Sequence, residues 1–196
     1  MSESAKQNLL EAACRVISER GVEGLTMQDT AVAAGVSKAL LHYHYGSRRE
    51  LILAAFEYSD DRAVNNVYSC VDPAGNGKQQ LTDLLLAWAS DDLGMQRHWI
   101  IWTEMWRWSM FEPELRRAVT DRHARFIASI AERIDLGKAD GSVSSDVSTE
   151  EATRRLAACS DSFGDQSVVG IMTLGEVRVA MVRAIEHECR TAESTL

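Results

Sequence analysis

Proline is nearly missing from this 196-residue chain, which holds Pro73, Pro113 and twelve glycines. So few helix breakers over such a length favour an all-helical fold. No strand pattern, internal repeat or low-complexity segment argues against it. No apolar run approaches the roughly 18 residues of a membrane span, and mean hydropathy is slightly negative. No basic stretch near Lys6 leads into an apolar one, so no secretion signal is expected. The four cysteines (Cys14, Cys70, Cys159, Cys189) lie far apart. No CxxC or Cys/His spacing is present, which speaks against a metal site. Three of the four fall inside helical patterns and are expected as buried free thiols, as suits a reducing cytoplasm. Catalytic signatures such as GxSxG, HExxH and a glycine-rich phosphate loop are also missing. Glu150 and Glu151 read as helix-start acids, and His98, His123 and His187 have no evident partner in sequence. Neither an enzyme nor a cofactor is expected.

Acids outnumber bases, and the formal charge is −8. The excess is uneven. Residues 1–58 carry six basic and seven acidic groups, hence −1, leaving −7 for the remainder. From Thr30 to Arg49 there is no acid, only Lys38, His42, His44, Arg48 and Arg49. A local basic face on an acidic protein is compatible with nucleic-acid binding, because the field at the contact sets the encounter.

What remains is about nine helices with their punctuation. The first runs from about Ser4 to Arg20, with Leu9, Leu10, Ala13, Cys14, Val16 and Ile17 as its apolar side and Gly21 as its cap. Thr26 caps Met27–Ala34, Gly35 ends it, Ser37 caps Lys38–His44, and Gly46 ends that. The spacing of Ser47 and Glu50 is a capping box for a long fourth helix towards Cys70. A loop at 72–77 precedes a fifth helix, with Leu81, Leu84, Leu85 and Trp88 on one side. Gly94 interrupts before a sixth, Met95–Phe111. Pro113 opens a seventh, and Gly137–Asp146 reads as a loop. Capping boxes at Ser148 and Thr173 start the eighth and ninth. The tail from Thr191 is expected to fray.

Two short helices joined by a tight turn need particular residues at particular offsets. Ala31 is small where a second helix crosses, and Gly35 permits a backbone angle that a side chain resists. Val36 and Leu41 plug the angle between the helices, and Ser37 caps the second. Its N-terminus then favours phosphate. These offsets also suit a plain helical hairpin. The wider segment, from Leu10 to about Phe56, resembles the TetR family of regulators. It carries Leu10-Glu-Ala-Ala-Cys-Arg-Val-Ile17, Glu19-Arg-Gly21, Leu25-Thr-Met27, Ala33-Ala-Gly-Val-Ser-Lys38, Leu41-His-Tyr-His-Tyr45 and Ser47-Arg-Arg-Glu-Leu51. Four positions depart from the family's usual choice. Thr30 stands for isoleucine, Leu40 for a hydroxyl residue, His42 for tyrosine and Arg48 for lysine. The resemblance implies that Thr26, Ser37, His42, Tyr43 and Arg48 contact phosphates. It implies that Lys38, Ala39 and Leu40 face base edges, where lysine donates to guanine and small apolar groups touch thymine methyls. Tyr43 also reads as a packing residue, its ring buried while its hydroxyl reaches outward. His44 and Tyr45 read as packing residues.

In the sixth helix, Met95, Trp99, Trp102, Trp106 and Met110 share one face at 100° per residue, with Arg97, Thr103, Glu104 and Arg107 opposite. Such a stripe serves either as plain core or as the wall of a cavity for a flat hydrophobic or cationic ligand. Trp88, Phe126 and Phe163 are candidate facing walls, with His123 and Asp165 as possible polar contacts. The segment with Trp99, Trp102 and Pro113 is similar to the subgroup that includes choline-responsive regulators. Asp140-Gly-Ser-Val-Ser-Ser-Asp-Val147 is a further family-like signature. Small residues in the last two helices (Ala152, Ala157, Ala158, Ser160, Gly164, Ala180, Ala184) suit close helix approach, either within one chain or between two.

The expected fold is all-α: a three-helix DNA-binding domain with a helix-turn-helix over 1–58, and a ligand-binding and dimerisation domain over 59–196. The resemblance implies a cytoplasmic, ligand-responsive repressor. It would bind a palindromic operator in double-stranded DNA as a homodimer through the last two helices, with no membrane partner. A small hydrophobic, aromatic or cationic effector would release it. An activator of the same fold, or a helical interaction module that has lost DNA binding, remain as alternatives.

Overall fold

A computed structural model describes residues 3–191, with side chains from residue 5. Nine α-helices are found among them, without strands: α1 (Glu3–Arg20), α2 (Met27–Ala34), α3 (Lys38–His44), α4 (Arg48–Ser69), α5 (Gly77–Ala87), α6 (Leu93–Ser109), α7 (Pro113–Asp140), α8 (Thr149–Val168) and α9 (Leu174–Glu188). None of the described helices is long and apolar enough to cross a membrane. Beyond Thr191, the tail expected to fray lies outside the described residues.

The chain forms two units. One comprises the chain up to Ala63 together with Leu93–Val119. Its core joins Leu9, Ala13 and Ile17 of α1, Ala31 of α2, Leu41 of α3, Leu51, Ala55 and Phe56 of α4, Ile101 and Met105 of α6, and Leu115 and Val119 of α7. The sets on α1, α4, α6 and α7 repeat at four-residue spacing, the face a helix buries. The other unit comprises Val64–Asp92 and the chain from Thr120 on. There α9 packs on both α5 and α8. Leu81, Leu84, Leu85, Ile130, Ile134, Leu156, Val177, Met181 and Ile185 are fully or almost fully buried.

Most helix starts are made by the expected caps. Thr173 and Glu176 complete a reciprocal capping box. The Thr173 groups that bond the Glu176 carboxylate hold its pKa below the usual range. Ser47 and Ser148 fulfil one half each. The Ser47 hydroxyl accepts from Glu50 N–H at 3.2 Å, while the Glu50 carboxylate reaches Gly46 N–H at 3.0 Å. Glu151 turns instead to Arg155, at 3.3 Å. A further box, Asn76 with Gln79, opens α5.

Two glycines behave differently from the sequence reading. Gly94 lies inside the first turn of α6 instead of interrupting before it. At a helix end the entropic penalty of glycine is small. Gly137 does not open a loop; α7 continues to Asp140. A Cβ on Gly137 would stand 2.6 Å from Val143 Cγ2, and its backbone is also closely approached. A Cβ built on Gly77 would stand 2.0 Å from Gly137 N and 2.7 Å from Arg133 O, so the start of α5 lies directly on the α7 backbone. Asp140 and Ser142 then accept the first N–H groups of α5, from Gly77 at 2.6 Å and from Lys78 at 3.1 Å. Hydrogen bonding to Ser142 and to Gly77 N–H keeps the exposed Asp140 carboxyl below its usual pKa.

The cysteines are all free. Cys14 and Cys189 are buried, Cys159 is half-buried, and Cys70 is exposed. Burial pushes the Cys14 thiol up to about 12 and the Cys189 thiol up to about 11.

Candidate functional site

The α2–turn–α3 segment is built from its own residues. Thr26 Oγ1 accepts from Asp29 N–H at 3.0 Å and donates to the Asp29 carboxylate at 2.8 Å. Thr30 is fully buried, and its hydroxyl donates to Thr26 O at 2.9 Å. The polar residue at an apolar site is thereby satisfied. Ala31 is buried beneath the crossing. Gly35 has φ +68, with nothing within 4 Å of where a Cβ would stand. It is needed for its backbone angle, not for room. Ser37 Oγ accepts from Leu40 N–H at 3.1 Å and starts α3.

In α3, Leu41 is the buried residue. Lys38, Ala39, Leu40, His42 and Tyr43 are exposed, Tyr43 by 83%. Thr26 and Ser37 are exposed as well. The Tyr43 ring is therefore outside, not buried as the packing reading expected, and it meets His44 edge-on at 5.1 Å. Tyr45 joins the core of the head, as expected. Arg48 is half-buried. Its guanidinium donates to Leu25 O at 2.5 Å and to Val22 O, and lies 5.4 Å over the Trp108 ring. Arg49 pairs with Glu112 at 2.6 Å and Glu114 at 3.2 Å. Among the described residues, Lys38 makes no ion pair.

One polar contact was not legible in the sequence. Glu104, on the polar side of α6, accepts Val22 N–H at 2.7 Å. Arg48 of α4 takes the carbonyl of the same residue. The turn between α1 and α2 is therefore held by a carboxylate from α6 and a guanidinium from α4. Gly21, at φ +71, stands where a Cβ would come within 2.9 Å of that carboxylate. Eighty-two residues separate Val22 from Glu104, and no local pattern announces the pair.

The aromatic candidates fall into two sets. In the first unit, Trp99 is buried, Trp102 half-buried and Trp106 exposed by 42%, so the α6 stripe runs from core to surface. Trp102 stacks at 5.6 Å on Phe56 and at 6.1 Å on Trp106, with buried His98 at 6.2 Å. In the second unit, Trp88 meets Phe126 edge-on at 5.8 Å. His123 lies 6.2 Å from Phe126 and bonds Asp161 at 3.1 Å. Phe163 is half-buried and Asp165 exposed. No group of described His, Cys, Asp or Glu side chains is arranged to hold a metal.

Residues 9–55 match the family described as bacterial regulatory proteins, tetR family, and residues 77–190 match the BetI-type transcriptional repressor C-terminal family. The chain belongs to the TetR family. Over 80 residues this regulator is 29% identical to the HTH-type transcriptional regulator BetI of Rhizobium meliloti, covering 41% of this chain and 39% of that protein. Over 174 residues it is 25% identical to the HTH-type transcriptional repressor AcnR of Corynebacterium efficiens, covering 88% of this chain and 86% of that protein. Its fold matches that of a transcriptional regulator from Saccharomonospora viridis solved in complex with choline. That match has a TM-score of 0.82 and 27% identity, and covers 95% of this chain and 97% of the other. The proteins it resembles are regulators, not enzymes.

Proposed function

We propose that this regulator is a cytoplasmic, ligand-responsive repressor that binds a palindromic operator as a homodimer. The observation that carries the reading is the division within α3. Leu41 anchors the helix, while Lys38, Ala39, Leu40, His42 and Tyr43 are left outside. A helix packed only for stability has no use for so many exposed residues beside a capped, acid-free N-terminus. In a reading head they are the contact surface. Thr26, Ser37, His42, Tyr43 and Arg48 serve as phosphate contacts, and Lys38, Ala39 and Leu40 face base edges. Arg48, tethered to two carbonyls, offers a pre-positioned charge.

Dimerisation through α8 and α9 is supported by apolar side chains left exposed there and in the turn between them: Val168, Val169, Ile171 and Val179. The buried small residues Ala152, Ala157, Ser160 and Gly164 are taken up within the chain. The effector response rests on the aromatic sets at Trp99, Trp102 and Trp106 and at Trp88, Phe126 and Phe163. It is supported by the choline complex of the Saccharomonospora viridis regulator. An effector that favours one arrangement shifts the population, and a 100-fold loss of operator affinity needs about 2.7 kcal/mol of coupling.

The test is selection of bound duplexes from a genomic or random pool by the purified full chain, at two salt concentrations. The expected result is an enriched palindrome with half-sites about 34 Å apart, bound more weakly at the higher salt. A folded dimer that enriches no duplex at either salt overturns the reading.

A further inference from the structure

Along one face of α7 in the second unit, an aromatic pair and a buried charge lie two turns apart. Phe126 carries Trp88 against it. Arg133 lies seven residues on, a spacing that returns to nearly the same side of a helix about 10 Å along the axis. Arg133 is only 8% exposed. Its Nη1 donates to Ser129 O, one turn back on its own helix, at 2.8 Å. The same nitrogen stands 3.5 Å from the Glu132 carboxylate, whose side chain is 78% exposed. The guanidinium lies 5.3 Å over the ring of Tyr68, from the end of α4. Among the described residues, its Nε is buried without a hydrogen-bond partner.

This is an uneconomical way to fill space. Burying a charge is unfavourable unless it is paired and fully hydrogen-bonded, and an apolar side chain of similar volume covers the same area without that penalty. The carboxylate within reach sits on the water side, so the buried face of the guanidinium has no counter-ion. What the arrangement does offer is a planar fork of donors, matched in shape to a carboxylate. Tyr68 holds the plane, and a donor is still open. The apolar pair of Trp88 and Phe126 lies about two helical turns, roughly 10 Å, along the same helix.

We propose that Arg133 anchors the carboxylate of the effector, whose apolar or aromatic body lies along Phe126 and Trp88. This rests on the effector response proposed above and narrows the effector to an amphipathic carboxylic acid. A simple cation is repelled by Arg133, and a neutral molecule leaves Nε unfilled.

The experiment is calorimetric titration of the full chain with 4-phenylbutyrate, its amide and 4-phenylbutylamine. The acid is expected to bind at least about tenfold more tightly than the amide, and the amine more weakly than either. Arg133→Gln is expected to bring the acid to the level of the amide and leave the amide unchanged. Thermal melts establish that the variant is folded, and the acid–amide comparison on the unaltered protein needs no variant. Equal binding of acid and amide, no binding of the acid at millimolar concentration, or a full acid preference in Arg133→Gln each overturns the proposal. Duplex selection without any acid separates the two readings. An enriched operator with no acid preference removes the Arg133 subsite and leaves the repressor. Arg133-dependent acid binding with no enriched duplex leaves the subsite and removes the repressor.

Discussion

At the scale of single residues, burial sets the chemistry of the thiols. Loss of hydration raises Cys14 to about 12 and Cys189 to about 11, against an ordinary value of 9.0. Below pH 9 the thiols are protonated in both folded and unfolded chains and contribute no pH dependence. Between pH 9 and about 11 to 12 the unfolded chain releases protons that the folded chain retains, so stability falls as pH rises through that window. Chemical melts at pH 8 and pH 10 are expected to show the loss, and Cys14→Ala is expected to reduce it. At pH 8 a thiol reagent is expected to modify exposed Cys70 in the native protein, and Cys14 and Cys189 only on unfolding. Thr30 shows the opposite case, a polar group in a core that keeps its hydroxyl because Thr26 O lies one turn away.

At the scale of elements, legibility follows the range of the cause. Both ends of α2 and the start of α3 were readable because Thr26, Gly35 and Ser37 act within four residues of themselves. The apolar faces of α1 and α4 were readable from period alone. The extent of α7 was not. Gly137 looks like a terminator, and only tertiary structure shows why a residue without a side chain is used there, since a Cβ would stand 2.6 Å from Val143 Cγ2. Likewise Glu104 and Arg48 meet on Val22 through tertiary structure, although each alone reads as a surface charge. The eight candidate DNA contacts were legible as positions, but the inward tether of Arg48 was not. The glycine contact yields a direct test. A methyl group at Gly77 meets backbone, which has no room to yield. Gly77→Ala is expected to cost about 3 kcal/mol and to lower the melting temperature by roughly 6–12 °C, read by calorimetry. Alanine at exposed Gly141 introduces no such clash, although its positive φ carries a smaller penalty.

At the scale of the molecule, charge is sparse where DNA is proposed to bind. Arg49 is committed to Glu112 and Glu114, which leaves Lys38 and the tethered Arg48 as the lysine and arginine among the proposed contacts of each head. The two heads of the proposed dimer then present about four, and each neutralised phosphate contributes about 0.9 to the logarithmic salt slope. Raising salt from about 50 to 200 mM is therefore expected to weaken operator binding by roughly 150-fold, short of the 10³–10⁵ of phosphate-rich interfaces. A slope well beyond −4 in fluorescence-anisotropy titrations would show that further cations reach the backbone. With so modest a charge, selectivity under the proposed function would rest on the neutral contacts of α3.

That division of labour in α3 has an evolutionary side. Leu41 is the residue the fold demands there, so under the proposed function its exposed neighbours are free to answer to an operator. Substitutions at Lys38, Ala39 and Leu40 pass without unfolding the head. On the proposed function, duplicated copies of such a gene can drift to new operators while keeping the same scaffold, since exposed positions such as Leu40 and His42 carry no core packing.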